Sequence, residues 1–238
     1  MDNPARPPKA RSEEKKKTLY VRFADFLRKY RAIVLSFFGA VVLAVLVLAV
    51  VTGVRDSAVK ASTARLEKLD ADFAAYSSEQ DAAKKETLEK ALFASADDII
   101  KRGPRLYAAQ KASIYKARIE ESKKDWAAAE KDWLAIVEAV PDSYLAPVAL
   151  QGAAVAAEEL GSTDRATADY KKLIDKYSAA AIGIPHAYFA LGRLAEQAKD
   201  YAAAMTAYQK IASTWPDDDW TKLATDRIIS LKSRGLTK

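Results

Sequence analysis

Apolar residues follow two different patterns along this chain. From residue 33 to residue 54 they form an uninterrupted run, in which fifteen of 22 residues are Val, Leu, Ile or Phe and none is charged. From residue 57 onward they recur at every third or fourth position, which is the spacing of amphipathic helices. The first pattern predicts one wholly apolar helix, and the second predicts an α-helical domain.

The apolar run is long enough to cross a membrane. As a helix, residues 33–54 would measure roughly 33 Å, against a hydrocarbon core of about 30 Å. A buried core helix and a cleaved signal peptide are the alternatives. However, the run exceeds the usual signal-peptide core of about 7–15 residues, and no A-x-A triplet closes it. We therefore expect an uncleaved signal anchor and a single transmembrane helix over residues 33–54.

The net charge is concentrated at the N-terminus. Residues 1–32 carry ten basic and four acidic side chains, a net charge of +6, and the remaining charges of the chain sum to zero. By the positive-inside rule, the N-terminus is then cytoplasmic and the C-terminal domain lies across the membrane. We expect a single-pass protein of a bacterial inner membrane with a periplasmic domain. A domain without net positive charge also argues against a nucleic-acid partner.

The basic tail divides into two parts. Residues 1–17 lack large apolar side chains other than Met1 and are predicted to be disordered. From about residue 19 the apolar side chains have helical spacing and alternate with basic ones, which predicts an amphipathic helix. This helix could lie on anionic headgroups as a topology determinant, or it could bind a protein partner.

A repeat of about 37 residues organises the rest of the chain. Pro104, Pro141, Ser178 and Pro216 are separated by 37, 37 and 38 residues. We expect each unit to be two antiparallel helices, with a tight turn at Lys199-Asp200 in the last. The predicted organisation is a degenerate first helix pair over 55–103, three repeats over 104–217 and a capping helix over 218–238. The capping helix is expected to bury Trp220, Leu223, Ile228 and Leu231.

The last repeat resembles the tetratricopeptide repeat family. When the 34-residue consensus begins at Pro185, its signature positions are filled by Tyr188, Leu191, Gly192, Ala204, Tyr208 and Pro216. The same scheme fits residues 110–143 and 147–180 less well. The resemblance implies an all-α fold in which the N-terminal apolar helix is followed by an antiparallel helix-pair solenoid.

The overall plan resembles the ancillary Sec-translocon subunit family of bacterial inner membranes, whose repeat domain is related to that of periplasmic cell-division coordinators. That resemblance implies a membrane-anchored scaffold that binds proteins or peptides at the export or envelope-assembly machinery, with a chaperone-like role. The alternative is a structural envelope protein that self-assembles and has no peptide groove. A homodimer is a further alternative, because Leu66, Leu69, Phe73 and Tyr76 also fit a heptad seam.

The resemblance to tetratricopeptide repeats also implies a binding surface, since the first helix of each repeat lines the concave side in that family. The matching positions form our candidate peptide groove: Lys111, Tyr115, Arg118, Gln151, Val155, His186, Phe189 and Arg193. These side chains could instead pack between repeats. A clamp built from paired Asn side chains is excluded, because Asn3 is the only asparagine.

Composition argues against an enzyme. The chain has no cysteine and one histidine, which removes thiol nucleophiles, cysteine metal sites, multi-histidine metal sites and the usual Ser-His-Asp triads. We therefore expect no catalytic residues, no cofactor and no metal.

Overall fold

The computed structural model describes residues 20–178 and 183–237, and within these residues it is helical without strands. The predicted disordered segment 1–17 lies outside the described residues. The helices are α1 (20–29), α2 (Arg31–Ser78), α3 (Ala82–Arg102), α4 (Tyr107–Ser122), α5 (Trp126–Ala139), α6 (Ala146–Glu159), α7 (Thr163–Tyr177), α8 (Ile184–Gln197), α9 (Tyr201–Thr214) and α10 (Asp219–Ser233). The all-α prediction is confirmed.

Residue contacts divide the chain into two units, Met1–Ala58 and Val59–Lys238, and α2 runs through the boundary between them. In the first unit, the side chains from residue 35 onward are all exposed. By length and composition, α2 is the one helix among the described residues that could cross a membrane. The predicted apolar helix over residues 33–54 and the first helix of the predicted pair over 55–103 are both part of α2.

The second unit is a series of helix pairs. From α3 to α10, each helix contacts the next one in sequence. Three-residue turns join α4 to α5, α6 to α7 and α8 to α9, so the helices of each pair are antiparallel. In the last pair, Ile184–Gln197 and Tyr201–Thr214, the turn includes Lys199 and Asp200, where a tight turn was predicted.

The same turn closes each of these three pairs. Its second residue has a positive φ, of 62° at Lys124, 70° at Gly161 and 61° at Lys199. The following residue is the N-cap of the second helix, and Asp125 and Asp200 each accept a hydrogen bond from the backbone N–H three residues further on. Lysine rarely adopts a positive φ, so the packing of the helix pair imposes this turn.

Glycine and a large aromatic residue meet at two contacts between helices. Trp133 and Tyr208 occupy equivalent positions on α5 and α9, with exposed fractions of 4% and 0%. A Cβ atom added at Gly152 or Gly192 would lie 2.5 Å from the Trp133 or Tyr208 ring, respectively. Such a separation is far below van der Waals contact. Glycine is therefore required at both positions so that each ring can fill the space between helices.

The prediction for the capping helix is wrong at one position. Leu223 is 47% exposed, and Ala224 is fully buried in its place. Leu231 is buried as predicted, and Trp220 and Ile228 pack against the same cluster. The small Ala224 side chain lets α10 approach its neighbours closely, which turns Leu223 toward solvent.

The proposed heptad seam on α2 is used inside the second unit. Leu66, Leu69 and Tyr76 are 7%, 1% and 7% exposed and belong to one hydrophobic cluster with residues of α3 and α4. Phe73 packs against the same cluster. The stripe that a second copy would need is therefore covered by the chain itself.

Candidate functional site

Each first helix of a pair ends with a glutamate that faces the buried aromatic residue of the second helix. Trp133 Nε1 donates to Glu121 Oε1 at 2.7 Å, and the Tyr208 hydroxyl donates to Glu196 Oε1 at 2.8 Å. In the middle pair the equivalent residue is Tyr170, which is fully buried. Burial and the charge of Glu158 on α6 raise the pKa of Tyr170. The two hydrogen bonds connect α4 to α5 and α8 to α9.

Arginines then connect each pair to the next. Arg193 on α8 forms an ion pair with Glu158 on α6. Arg227 on α10 donates from Nε to Glu196 Oε1 at 2.9 Å. Burial opposes the negative charge of Glu196, but hydrogen bonds from Arg227 and Tyr208 outweigh it and lower the pKa of Glu196. The predicted groove residue Arg193 thus holds adjacent repeats together.

The predicted groove residues on α6 and α8 contact each other and the capping helix. Gln151 Nε2 and His186 Nδ1 are 3.1 Å apart. The His186 ring lies 4.7 Å from the Trp220 ring, centroid to centroid, and burial lowers the pKa of His186. Phe189 lies 5.2 Å from the same indole. Val155 packs against the central hydrophobic cluster, so all four side chains are engaged between repeats.

The predicted residues on α4 differ in their exposure. The Tyr115 hydroxyl donates to Asp70 Oδ1 at 2.5 Å, and its ring stacks on Phe73 with centroids 4.2 Å apart. Burial and the Asp70 carboxylate raise the pKa of Tyr115. Lys111 Nζ lies 4.6 Å from the Tyr115 ring centroid, and Arg118 is exposed. Tyr115 therefore connects α4 to α2, while the two cations border solvent.

An exposed pair of tyrosines was missed by sequence reasoning. The Tyr107 and Tyr144 rings stack with centroids 6.0 Å apart and an interplanar angle of 25°. They are 47% and 70% exposed, and Val148, in the first turn of α6, is 49% exposed. We call Tyr107, Tyr144 and Val148 the tyrosine patch. The two tyrosines are 37 residues apart, which is the repeat period, so that period was the signal that could have found them.

The tyrosine patch and two cations belong to one face. Tyr107, Lys111 and Arg118 are spaced by four and seven residues on α4, so they share one side of that helix. Within residues 20–178 and 183–237, Lys111 and Arg118 form no ion pair. We call the tyrosine patch with these two cations the A-helix face. It is apolar, aromatic and positively charged.

A cluster of titratable groups lies between α4 and α5. Glu120 is 9% exposed, and its Oε2 has no hydrogen-bond partner among the described residues. Burial, followed by the charge of Asp132, raises the pKa of Glu120 to about 7. Lys116 Nζ is 3.2 Å from Asp132 Oδ2 and 2.9 Å from Asp97 Oδ1. Among the described residues, no group of three or more His, Cys, Asp or Glu is placed to hold a metal ion.

Comparison with known families agrees with this geometry. The tetratricopeptide repeat family model matches residues 148–180 and 186–218, which correspond to the α6–α7 and α8–α9 pairs. No curated protein matches the chain. The chain therefore carries tetratricopeptide repeats, which are generally non-catalytic modules for protein–protein interaction. Over these residues the predicted resemblance is confirmed.

Proposed function

We propose that this protein is a membrane-anchored, periplasm-facing tetratricopeptide scaffold that binds other proteins through its A-helix face. The exposed tyrosine pair, in which Tyr107 shares one side of α4 with two cations, carries the proposal, together with the repeat array of a protein-binding family. Stacked tyrosines, here one on α4 and one in the turn before α6, offer a large contact area at low entropic cost, and such residues dominate the energetics of protein interfaces. The positive charge favours partner segments with acidic side chains next to apolar ones.

Membrane anchoring is supported by the first unit. The side chains of residues 35–54 are exposed along α2, and an apolar helix surface of that length is stable in lipid and unfavourable in water. The excess of basic residues before it favours a cytoplasmic N-terminus. We therefore infer a bacterial inner-membrane location, with the repeat domain in the periplasm.

The resemblance of the overall plan to ancillary translocon subunits supports a role at the export or envelope-assembly machinery. Partners would then be subunits of that machinery, chaperones or exported chains. Self-assembly without a peptide-binding face is the alternative.

Charge reversal on the A-helix face tests the proposal. Arg118→Glu should reduce co-purification of partner proteins from membranes at least about tenfold, as expected when an interface contact of about 1.4 kcal/mol is lost. Recovery is measured by quantitative mass spectrometry against the parent chain. Arg118 is suitable because it is exposed, whereas reversing Arg193 would break its ion pair with Glu158.

The matched control is Lys222→Glu, which reverses an exposed cation on α10 and should leave partner recovery unchanged. Equal partner recovery with Arg118→Glu and the parent would contradict binding at this face. Recovery of the chain itself as the sole specific protein would favour the self-assembly alternative.

A further inference from the structure

Helix α1 and the turn residue that follows it, Tyr30, expose an aromatic stripe on one side. Phe23, Phe26, Leu27 and Tyr30 are 62%, 53%, 38% and 36% exposed, and their spacing of three and four residues places them on one helix face. The Phe26 and Tyr30 rings are 4.9 Å apart, centroid to centroid. We call these four residues the aromatic stripe. All four residues of the aromatic stripe belong to the first unit, Met1–Ala58.

Basic side chains flank the aromatic stripe. At 100° per residue, Arg22 and Lys29 lie on one flank of the stripe, while Arg28 and the single acid of α1, Asp25, lie on the side opposite the stripe. The helix therefore combines an apolar face with two cations at one margin and charged side chains on the opposite side. This is the distribution that amphipathic helices show at an anionic lipid interface, where rings enter the headgroup layer and cations meet lipid phosphates.

The position of α1 in the chain favours lipid as the occupant of the aromatic stripe. A turn at Tyr30 separates α1 from α2, and the apolar run of residues 33–54 begins three residues later. A helix that ends so close to a membrane-crossing segment is held at the bilayer surface. Aromatic side chains are also typical of the headgroup level. Charge, apolar exposure and chain position therefore agree on the same partner.

We propose that α1 binds the surface of an anionic lipid leaflet, with the aromatic stripe in the headgroup layer and Arg22 and Lys29 on lipid phosphates. This inference rests on the proposed membrane anchor. It adds a second lipid contact, made by a helix that does not cross the bilayer, and it gives the basic segment a binding role in addition to setting topology.

Spin labels on the full chain in lipid nanodiscs test this inference. Because the chain has no cysteine, a single introduced cysteine accepts a single label. Phe26→Cys places it in the aromatic stripe, Asp25→Cys places it on the opposite face of α1, and Leu43→Cys places it in the apolar run of α2. Electron paramagnetic resonance measures accessibility to oxygen, which partitions into lipid, and to a water-soluble nickel chelate. With phosphatidylglycerol present, the oxygen-to-nickel ratio should be several-fold higher at position 26 than at position 25.

The same labels separate the failure of this inference from the failure of the anchor. In discs of phosphatidylcholine alone, or with Arg22→Glu/Lys29→Glu, the ratio at position 26 should fall toward that at position 25. The inference is overturned, and the anchor left intact, if the label at position 43 lies in lipid while the label at position 26 is water-accessible. The same holds if the label at position 26 lies equally deep with and without phosphatidylglycerol. A water-accessible label at position 43 would overturn the anchor and the inference together.

Discussion

Replacing Tyr208 with alanine is expected to lower the free energy of unfolding by about 3–5 kcal/mol, the usual cost of removing a buried aromatic ring. The Tyr208 side chain is fully buried, its ring occupies the space left by Gly192, and its hydroxyl donates to Glu196 at 2.8 Å. The substitution leaves a cavity between α8 and α9 and removes one hydrogen bond from a buried carboxylate. Both effects weaken the last repeat.

Urea unfolding of the full chain, followed by tryptophan fluorescence, measures this loss. Tyr208→Phe keeps the ring and should lose only about 1 kcal/mol, since Arg227 still pairs with Glu196. The matched control is Tyr144→Ala, which removes a 70% exposed ring and should change stability by less than about 0.5 kcal/mol. Equal losses for Tyr208→Ala and Tyr144→Ala would show that the buried aromatic position does not hold the pair together.

Glu120→Gln is expected to stabilise the protein above neutral pH, by about 2 kcal/mol. The pKa of Glu120 is raised from 4.5 to about 7 by burial and by the nearby charge of Asp132. Between these two pKa values, the folded state binds the proton and the unfolded state does not. Stability from this group is therefore fully present below about pH 4.5 and is lost as the pH rises through 7. A neutral amide of the same shape removes that loss.

The measurement is the difference in unfolding free energy between Glu120→Gln and the parent at pH 5 and at pH 8. We expect a small difference at pH 5 and the full stabilisation at pH 8. Glu159→Gln changes an exposed carboxylate on α6 and should follow the parent at both values. This explanation is refuted if Glu120→Gln is less stable than the parent at pH 8. It is also refuted if the difference in unfolding free energy between variant and parent is the same at pH 5 and pH 8.

Much of the fold could be predicted because its determinants are local and periodic. The recurrence of apolar residues marked the helices, and the 37-residue spacing marked the pairs. Gly192 and Tyr208 were recognised as signature positions, and the structure gives the reason, because the glycine leaves space for the ring. Leu223 was misplaced because helical periodicity alone does not show that Ala224 permits a closer approach.

The binding face was harder to predict, because exposure depends on contacts between distant parts of the chain. A consensus position tells which side of a helix a residue occupies, but not which neighbour covers it. Tyr115 is bound by Asp70, 45 residues earlier, and Arg193 by Glu158, 35 residues earlier. Of the eight predicted groove residues, Lys111 and Arg118 belong to the A-helix face. Tyr107 and Tyr144 lie just outside the 34-residue consensus window that defined those positions.

In-cell photo-crosslinking from position 144 tests the central proposal most directly. A photoreactive amino acid replaces Tyr144 in the tyrosine patch, and a control replaces the exposed Lys222 on α10. Adducts are identified by mass spectrometry after irradiation of living cells. We expect position 144 to capture translocon subunits, chaperones or exported chains that position 222 does not. If position 144 captures only this protein, or yields the same adducts as position 222, protein binding at the A-helix face is contradicted.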